Sequence, residues 1–140
     1  MKYTSKLIFI CAYAFLFFSC NNNSTEWEYR KLLPHSASQI KEFYWKDGFL
    51  PDYEYYLRAK IDQRDFNWYC DSLGLELHTD VSKYTDEIGN LNTIGGYAEE
   101  LKEWWNIDGN NDSLFVWQNG HEWNIARYYN GYLYLYAHEH

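Results

Sequence analysis

The sequence has 140 residues, of which 46% are hydrophobic and 21% aromatic, and its formal net charge is −8. This length suits one domain with one core. The acidic balance argues against binding to nucleic acid or to anionic lipid headgroups. With three cysteines, the chain is not a disulfide-stapled secreted scaffold.

The first nineteen residues are typical of a secretory signal peptide. Lys2 and Lys6 supply the positive start, and residues 7–18 form an apolar stretch. As a helix this stretch would be about 18 Å long, well short of the roughly 30 Å hydrocarbon core of a bilayer. We therefore predict a cleaved signal over residues 1–19 and not a spanning helix.

Cys20 directly follows this stretch and is preceded by the small residue Ser19. The junction resembles the lipobox of bacterial lipoproteins, in which the cysteine is acylated and becomes the first residue, although Phe18 stands where that pattern prefers a small side chain. Two or more acyl chains anchor a protein stably, at about 0.8 kcal/mol per buried CH2. We predict lipidation at Cys20; ordinary secretion with cleavage nearby is the alternative.

The mature chain would keep one thiol and most of the aromatic residues. Cys11 leaves with the signal and Cys20 is consumed by the lipid, so Cys70 has no disulfide partner within its chain. The mature chain would then have ten basic and twenty acidic residues, which is a formal net charge of −10. All seven Trp and thirteen of the fifteen Tyr follow Cys20, so some are expected at the surface.

Residues 20–32 lack apolar periodicity and are predicted to form the lipidated cysteine and a flexible tether, leaving residues 33–140 as one domain. The first predicted elements are strands over residues 40–46 and 53–61, joined as a hairpin by a six-residue loop. Alternation in the second strand predicts a set of core residues. The set is Tyr53, Tyr55, Leu57, Ala59 and Ile61, with Glu54, Tyr56, Arg58 and Lys60 on the other face.

The clearest helix follows Asp62, which has the side chain for an N-cap, and Gly74 supplies its stop. Its apolar positions recur at i, i+3, i+4 and i+7: Phe66, Tyr69, Cys70 and Leu73. This spacing turns Cys70 towards the core; a catalytic thiol is the alternative, and it needs an activating neighbour. Residues 75–95 are expected to be polar and turn-rich, and a shorter helix is predicted over residues 96–105.

Three strands are predicted at the end of the chain, over residues 113–118, 121–129 and 132–138. An Asn-Gly pair joins each to the next, which is the strongest short-range hairpin signal in the chain. Two-residue turns place Gln118 opposite His121 and Tyr129 opposite Tyr132. Both faces of this sheet are apolar, so helices or another subunit should cover both, or a bulge breaks the register.

These elements predict a single α+β domain: an antiparallel sheet of about five strands, packed by one main helix and one shorter helix. The first hairpin alternates apolar and polar residues, whereas the last strands are continuously apolar. We therefore expect the hairpin at the edge of the sheet and the last strands at its centre.

Several runs of the sequence together resemble a group of short, largely uncharacterised bacterial envelope proteins. The runs are Leu33-Pro34-His35-Ser36-Ala37-Ser38-Gln39-Ile40, a Gly48-Phe49 loop before an aromatic strand ending at Lys60, the helix after Asp62, the Trp104-Trp105 pair and the closing Tyr-rich hairpin. The likeness spans residues 33–137 and brings no catalytic residue or ligand with it. The Asn-rich tether and aromatic composition also resemble lipoproteins of the Bacteroidota.

Metal and catalytic sites have no support in the spacing of the polar residues. Residues 108–112 resemble a calcium loop but lack its alternating ligands and its glutamate. His138 and His140 could hold a metal loosely, but a solvated tail is the better interpretation. No zinc-ligand spacing and no Gly-x-Ser-x-Gly motif is present in the sequence. We assign no catalytic residue, metal or cofactor.

The predicted function is therefore binding at the cell envelope, with the outer membrane favoured over the inner. The first hypothesis is a membrane-tethered protein-interaction module, of an inhibitor or immunity type, that uses acidic charge and exposed aromatic residues. The alternative is a glycan-binding module, and a hydrolase without a recognisable motif is the third. The expected partners are the membrane, through the lipid, and an envelope protein or glycan.

A candidate binding surface follows from the register of the last strand. The row Tyr132, Tyr134 and Tyr136 could stack on sugar rings beside Arg127 or Glu122. Ordinary cross-strand packing explains the same row equally well. Exposure of the row is the observation that separates these interpretations.

Overall fold

The computed structural model describes residues 24–46, 48, 52–84, 101, 103–105, 107 and 113–139. Six strands run through them: β1 (Ser38–Lys46), β2 (Tyr53–Lys60), β3 (Glu76–His78), β4 (Leu114–Asn119), β5 (Glu122–Tyr129) and β6 (Tyr132–Glu139). They form an antiparallel sheet in the order β1-β2-β6-β5-β4-β3. The described helices are α1 (Ser24–Lys31), α2 (Gln63–Ser72) and a short 3-10 helix (Val81–Tyr84).

The α+β class is confirmed, but the sheet has six strands and not about five. The additional strand is β3, which pairs with the outer edge of β4 inside the segment predicted to be turn-rich. Three residues are too short a run for alternation to stand out. The predicted positions are confirmed: the first hairpin lies at one edge, and β6 and β5 lie at the centre.

The predicted signal peptide, Cys20 and most of the second predicted helix lie outside the described residues. In the described part of the chain, no helix is long and apolar enough to cross a membrane. Within the helix predicted over residues 96–105, Leu101 is helical, and its carbonyl accepts from the amides of Trp104 and Trp105. This turn brings both Trp side chains into the core.

Residues 24–31, predicted to belong to the flexible tether, form α1. Tyr29 holds this helix on the sheet: its ring stacks 5.3 Å from that of Tyr55, and its hydroxyl donates to Asn124 Oδ1 at 2.8 Å. The Tyr69 hydroxyl in turn donates to the Tyr29 carbonyl at 2.9 Å. The tether prediction is wrong for this stretch. The sequence did not indicate the helix, because a helix attached through one buried aromatic residue shows no apolar periodicity.

The helix predicted after Asp62 is confirmed as α2. The Asp62 carboxylate accepts from the Asp65 amide at 2.8 Å, and Gly74 follows the helix with φ of +67°, a conformation that favours glycine. Phe66 is buried beneath the helix, with its ring edge-on to that of Phe115 at 5.2 Å. These contacts place α2 across β4 and β5.

The terminal strands confirm one predicted turn and correct the other. Tyr129 lies opposite Tyr132, as predicted. Gln118 lies opposite Trp123 and not His121, because Asn119 pairs with Glu122 and the two-residue turn is formed by Gly120, with φ of +63°, and His121. The pairing is thus shifted by two residues, and an even shift leaves every side chain on its predicted face.

Both faces of the sheet are buried, as predicted, and segments of this chain cover them. The helix face carries Leu57 and Leu135 and lies under α1 and α2. The tryptophan face carries Tyr56 and Tyr136 and lies under Trp105 and its neighbours. All residues of the second strand predicted for the core are buried: Tyr53, Tyr55, Leu57, Ala59 and Ile61. Tyr56, assigned to the opposite side, is buried as well.

Candidate functional site

The predicted binding surface lies on the tryptophan face and is mostly buried. Tyr136, Tyr134 and Arg127 are 0%, 4% and 8% exposed, and Tyr132 is half-buried. The cause is Trp105, whose ring packs edge-on against that of Tyr134 at 5.2 Å. Of the two interpretations that the sequence left open, burial favours cross-strand packing of these tyrosines over an exposed aromatic row.

The two arginines of this face are held by aromatic rings. The Arg58 guanidinium lies 4.9 Å from the Tyr132 ring centroid and donates to the Trp104 carbonyl. The Arg127 guanidinium lies 5.6 Å from the ring centroid of Tyr129. Such cation–π contacts gain strength when water is excluded. Arg58 therefore attaches the Trp104 segment to the sheet, and both guanidinium groups lie against aromatic rings.

At the other end of the tryptophan face, one carboxylate accepts hydrogen bonds from two tyrosine hydroxyls. Glu54 accepts from Tyr56 at 3.0 Å and from Tyr136 at 3.4 Å. Burial raises the pKa of Tyr56, and the nearby Tyr136 and Glu54 raise it further. The Tyr56 hydroxyl therefore stays protonated and donates at neutral pH, and His138 stacks 5.0 Å from the Tyr136 ring. This cluster orders the sheet beneath the aromatic cover.

Cys70 behaves as a core residue. Its side chain is fully buried under α2. Burial raises the pKa of its thiol to about 12, with the charge of Asp71 adding to the effect. The thiol therefore stays protonated at neutral pH, which is the opposite of an activated nucleophile. The core assignment made from helical spacing is confirmed.

A surface pocket of about 360 Å³ lies where β3 meets β4. Its lining residues are Gly74, Glu76, His78, Tyr84, Val116, Trp117 and Gln118. The Tyr84 hydroxyl lies 3.1 Å from His78 Nδ1, and the two rings meet edge-on at 5.2 Å. The pocket thus has a pre-formed wall, with the exposed groups of Glu76 and Gln118 beside it. Flat rings beside a carboxylate and an amide suit a small hydroxylated ligand.

Sequence reasoning missed most of this pocket. It placed residues 75–95, which include His78 and Tyr84, in turn-rich chain and gave neither side chain a role. The alternation of Glu76, Leu77 and His78 is the one signal that the sequence offered, and it covers a single strand of three residues. Among the described residues, no three His, Cys, Asp or Glu side chains are grouped closely enough to hold a metal ion.

The outer strand β1 is the longest strand and forms one edge of the described sheet. Its register shifts between Ser38 and Lys41, so the regular run covers residues 41–46. Phe43 contacts Tyr56 on the tryptophan face, with ring centroids 6.2 Å apart. Tyr44 lies on the helix face, as its pairing with the buried Tyr55 requires. One side of this strand's backbone therefore faces away from β2.

No protein-family model matches the chain. The same is true of the curated proteins and the solved structures, none of which matches it. A binding role is therefore argued from the surfaces of the described residues, among which the β1 edge and the pocket beside β3 have a defined geometry.

Proposed function

We propose that this chain is a lipid-anchored cell-envelope protein whose domain is a protein-interaction module, and that β1 is its binding edge. The observation that carries the proposal is the position of β1: a nine-residue strand ends the described sheet. The outer side of such a strand presents main-chain donors and acceptors to a further strand. Strand addition is a common way of binding an extended protein segment.

The side chains of β1 favour a protein partner over a polar ligand. Phe43, Tyr44 and Trp45 are half-buried, and they alternate between the two faces of the sheet. A partner strand would complete their burial on both faces, and aromatic cross-strand pairs contribute about 0.2–1 kcal/mol each. Lys41 and Lys46 at the ends of the regular run are exposed. These charges would fix the register of the partner.

The proposed anchor places this edge near a membrane. The chain enters α1 at Ser24, four residues after Cys20. Four residues span at most about 14 Å even when fully extended. With Cys20 acylated, α1 and the sheet it covers would lie close to the bilayer surface. Partners of β1 are then expected among proteins of the same membrane.

Photo-crosslinking tests the binding edge. A photoreactive benzoylphenylalanine replaces Trp45 in the full-length protein, and irradiation is done in native membranes. We expect a discrete protein adduct, because the side chain at this position would lie beside the added strand. Mass spectrometry of the adduct identifies the crosslinked segment.

The matched control carries the same photoreactive residue in place of Trp68. Trp68 is 52% exposed on the outward side of α2, so it is the more accessible position. Random collisions would therefore label the Trp68 position at least as strongly. Equal labelling at the two positions, or adducts with polysaccharide alone, would refute β1 as a protein-binding edge.

A second candidate function is favoured by the pocket beside β3. We propose that the pocket takes a small polar glycan fragment, since rings, a carboxylate and an amide line a space of about 360 Å³. Glu76→Ala should weaken binding of a muropeptide or oligosaccharide probe roughly tenfold, a loss of the size expected for a hydrogen bond made by a charged group. Saturation-transfer NMR on the full-length protein measures the affinity for the probe.

The control for the pocket is Glu103→Ala. Glu103 is an exposed glutamate that does not line the pocket. Both substitutions remove one surface carboxylate, so the net charge changes equally. Equal effects of the two substitutions, or no saturation transfer to any glycan probe, would count against a glycan site here.

A further inference from the structure

We infer that the partner of β1 is a second copy of this chain, paired antiparallel to the first about Tyr44. This inference rests on the proposed function of β1 as a binding edge and names its occupant. It is carried by the residue pattern of β1, by the face on which each side chain lies, and by the position of α1.

The sequence of β1 is self-complementary around Tyr44. In an antiparallel pair centred there, Tyr44 lies opposite Tyr44 of the second copy, and Glu42 lies opposite its Lys46. The symmetry repeats this charge pair on the other side of Tyr44. Phe43 of each copy lies opposite Trp45 of the other, twice. Opposite charges and aromatic rings are the cross-strand pairs that stabilise antiparallel strands.

The faces of the sheet agree with this register. Glu42 and Tyr44 pair with Leu57 and Tyr55 of β2, so they lie on the helix face, and Lys46 follows by alternation. The charge pairs and the tyrosine pair would thus form one row on that face. The aromatic pairs of Phe43 with Trp45 would form a second row on the tryptophan face. Each row therefore joins side chains of matching chemistry.

Glu42 already forms an ion pair within its own chain. It pairs with Arg30 of α1, and its second oxygen accepts from the Tyr55 hydroxyl at 3.1 Å. Its side chain nevertheless keeps 36% of its surface exposed. Lys46 of the second copy would approach from the open side and place the carboxylate between two cations. A held carboxylate loses less side-chain entropy on pairing than a mobile one.

The symmetry also suits two anchors in one membrane. Two antiparallel strands joined edge to edge are related by a two-fold axis perpendicular to the sheet, so the helix faces of both copies lie on the same side. Because α1 packs on the helix face, both α1 helices lie on that side. Each chain reaches Ser24 shortly after Cys20. Both lipid anchors could therefore enter the same bilayer.

Disulfide trapping in native membranes tests the register. Tyr44→Cys in the full-length protein places two thiols on directly opposed residues, whose Cα atoms lie about 4.5–5.5 Å apart in an antiparallel pair, within disulfide reach. We expect most of the protein to run as a dimer on a non-reducing gel after mild oxidation. Phe43→Cys is the in-strand control, because its two copies would be diagonal neighbours about 7–8 Å apart. It should stay monomeric.

Charge reversal tests the same contact in protein that keeps Tyr44. Lys46→Glu would set glutamate against Glu42 twice and should lower the dimer fraction roughly tenfold. The size of the full-length protein in detergent, measured by native mass spectrometry, reports this loss. Lys60→Glu is the matched control, because Lys60 is also an exposed lysine at a strand end, on the strand paired with β1. It should leave the dimer intact.

The outcomes separate this inference from the function on which it rests. A same-chain adduct from the Trp45 position, with Tyr44→Cys crosslinked and Phe43→Cys monomeric, supports both. An adduct with a different protein supports the binding edge and overturns the second copy as its occupant. A monomer under both tests overturns self-pairing, and equal crosslinking of Tyr44→Cys and Phe43→Cys overturns the register.

Discussion

Replacing Trp105 with alanine should lower the free energy of unfolding by about 3–5 kcal/mol, the range for a buried aromatic residue. Trp105 is 3% exposed, and its ring meets those of Tyr56 and Tyr134 edge-on at 5.1 and 5.2 Å. Its loss would leave a cavity over the centre of the tryptophan face. Urea unfolding of the purified full-length protein, followed by fluorescence and circular dichroism, measures the change.

The control is Trp68→Ala on the outward side of α2. This tryptophan is 52% exposed, so its removal should change stability by no more than about 0.5 kcal/mol. Both variants lose one indole ring, so the difference between their free energies of unfolding measures the effect of burial. Similar losses in the two variants would mean that Trp105 does not hold the cover of the tryptophan face.

Replacing Cys20 with alanine should move the protein from the membrane fraction to the soluble fraction. The reason is chemical: the proposed thioether to a lipid needs the Cys20 sulfur, and each acyl CH2 that leaves the bilayer removes about 0.8 kcal/mol of binding. Fractionation of cells that express the full-length chain, followed by blotting, measures the distribution. We expect a nearly complete shift, since loss of an anchor is all-or-none for each molecule.

Cys11→Ala provides the control for the anchor. Cys11 lies in the predicted signal peptide, nine residues before Cys20, so it would enter the same membrane during the proposed export. Its replacement should leave the mature protein in the membrane fraction. Unchanged membrane retention of Cys20→Ala would refute lipidation at that residue, and the proposed distance between α1 and the bilayer would lose its basis.

Local patterns were sufficient for the elements that carry their own signals. The helix after Asp62 has a cap, a stripe and a terminal glycine, and each of these acts within a few residues of chain. The core residues of β2, Leu57 among them, follow from alternation. The last hairpin follows from its Asn-Gly pair, with Tyr129 opposite Tyr132.

The candidate sites depended on contacts that no local pattern contains. Tyr134 and Tyr136 were correctly placed on one face, yet whether that face met water depended on Trp105, which lies 29 residues before the first of them. The pocket beside β3 likewise needs β4 to arrive from a distant part of the chain before His78 and Tyr84 have a wall opposite them. Such pairings are set by long-range packing and not by propensity.

By itself, the sequence determined the α+β class, the principal helix and the faces of the strands, because each depends on residues close together in the chain; lipidation at Cys20 stays a prediction. The tertiary structure decided that the tyrosine row is covered, that Tyr29 ties α1 to the sheet, and that β1 lies at one edge of the described sheet. Those outcomes depend on which distant segments meet. Alternation in one strand shows which side chains share a face of the sheet. Whether that face is buried depends on the other segments that pack against it.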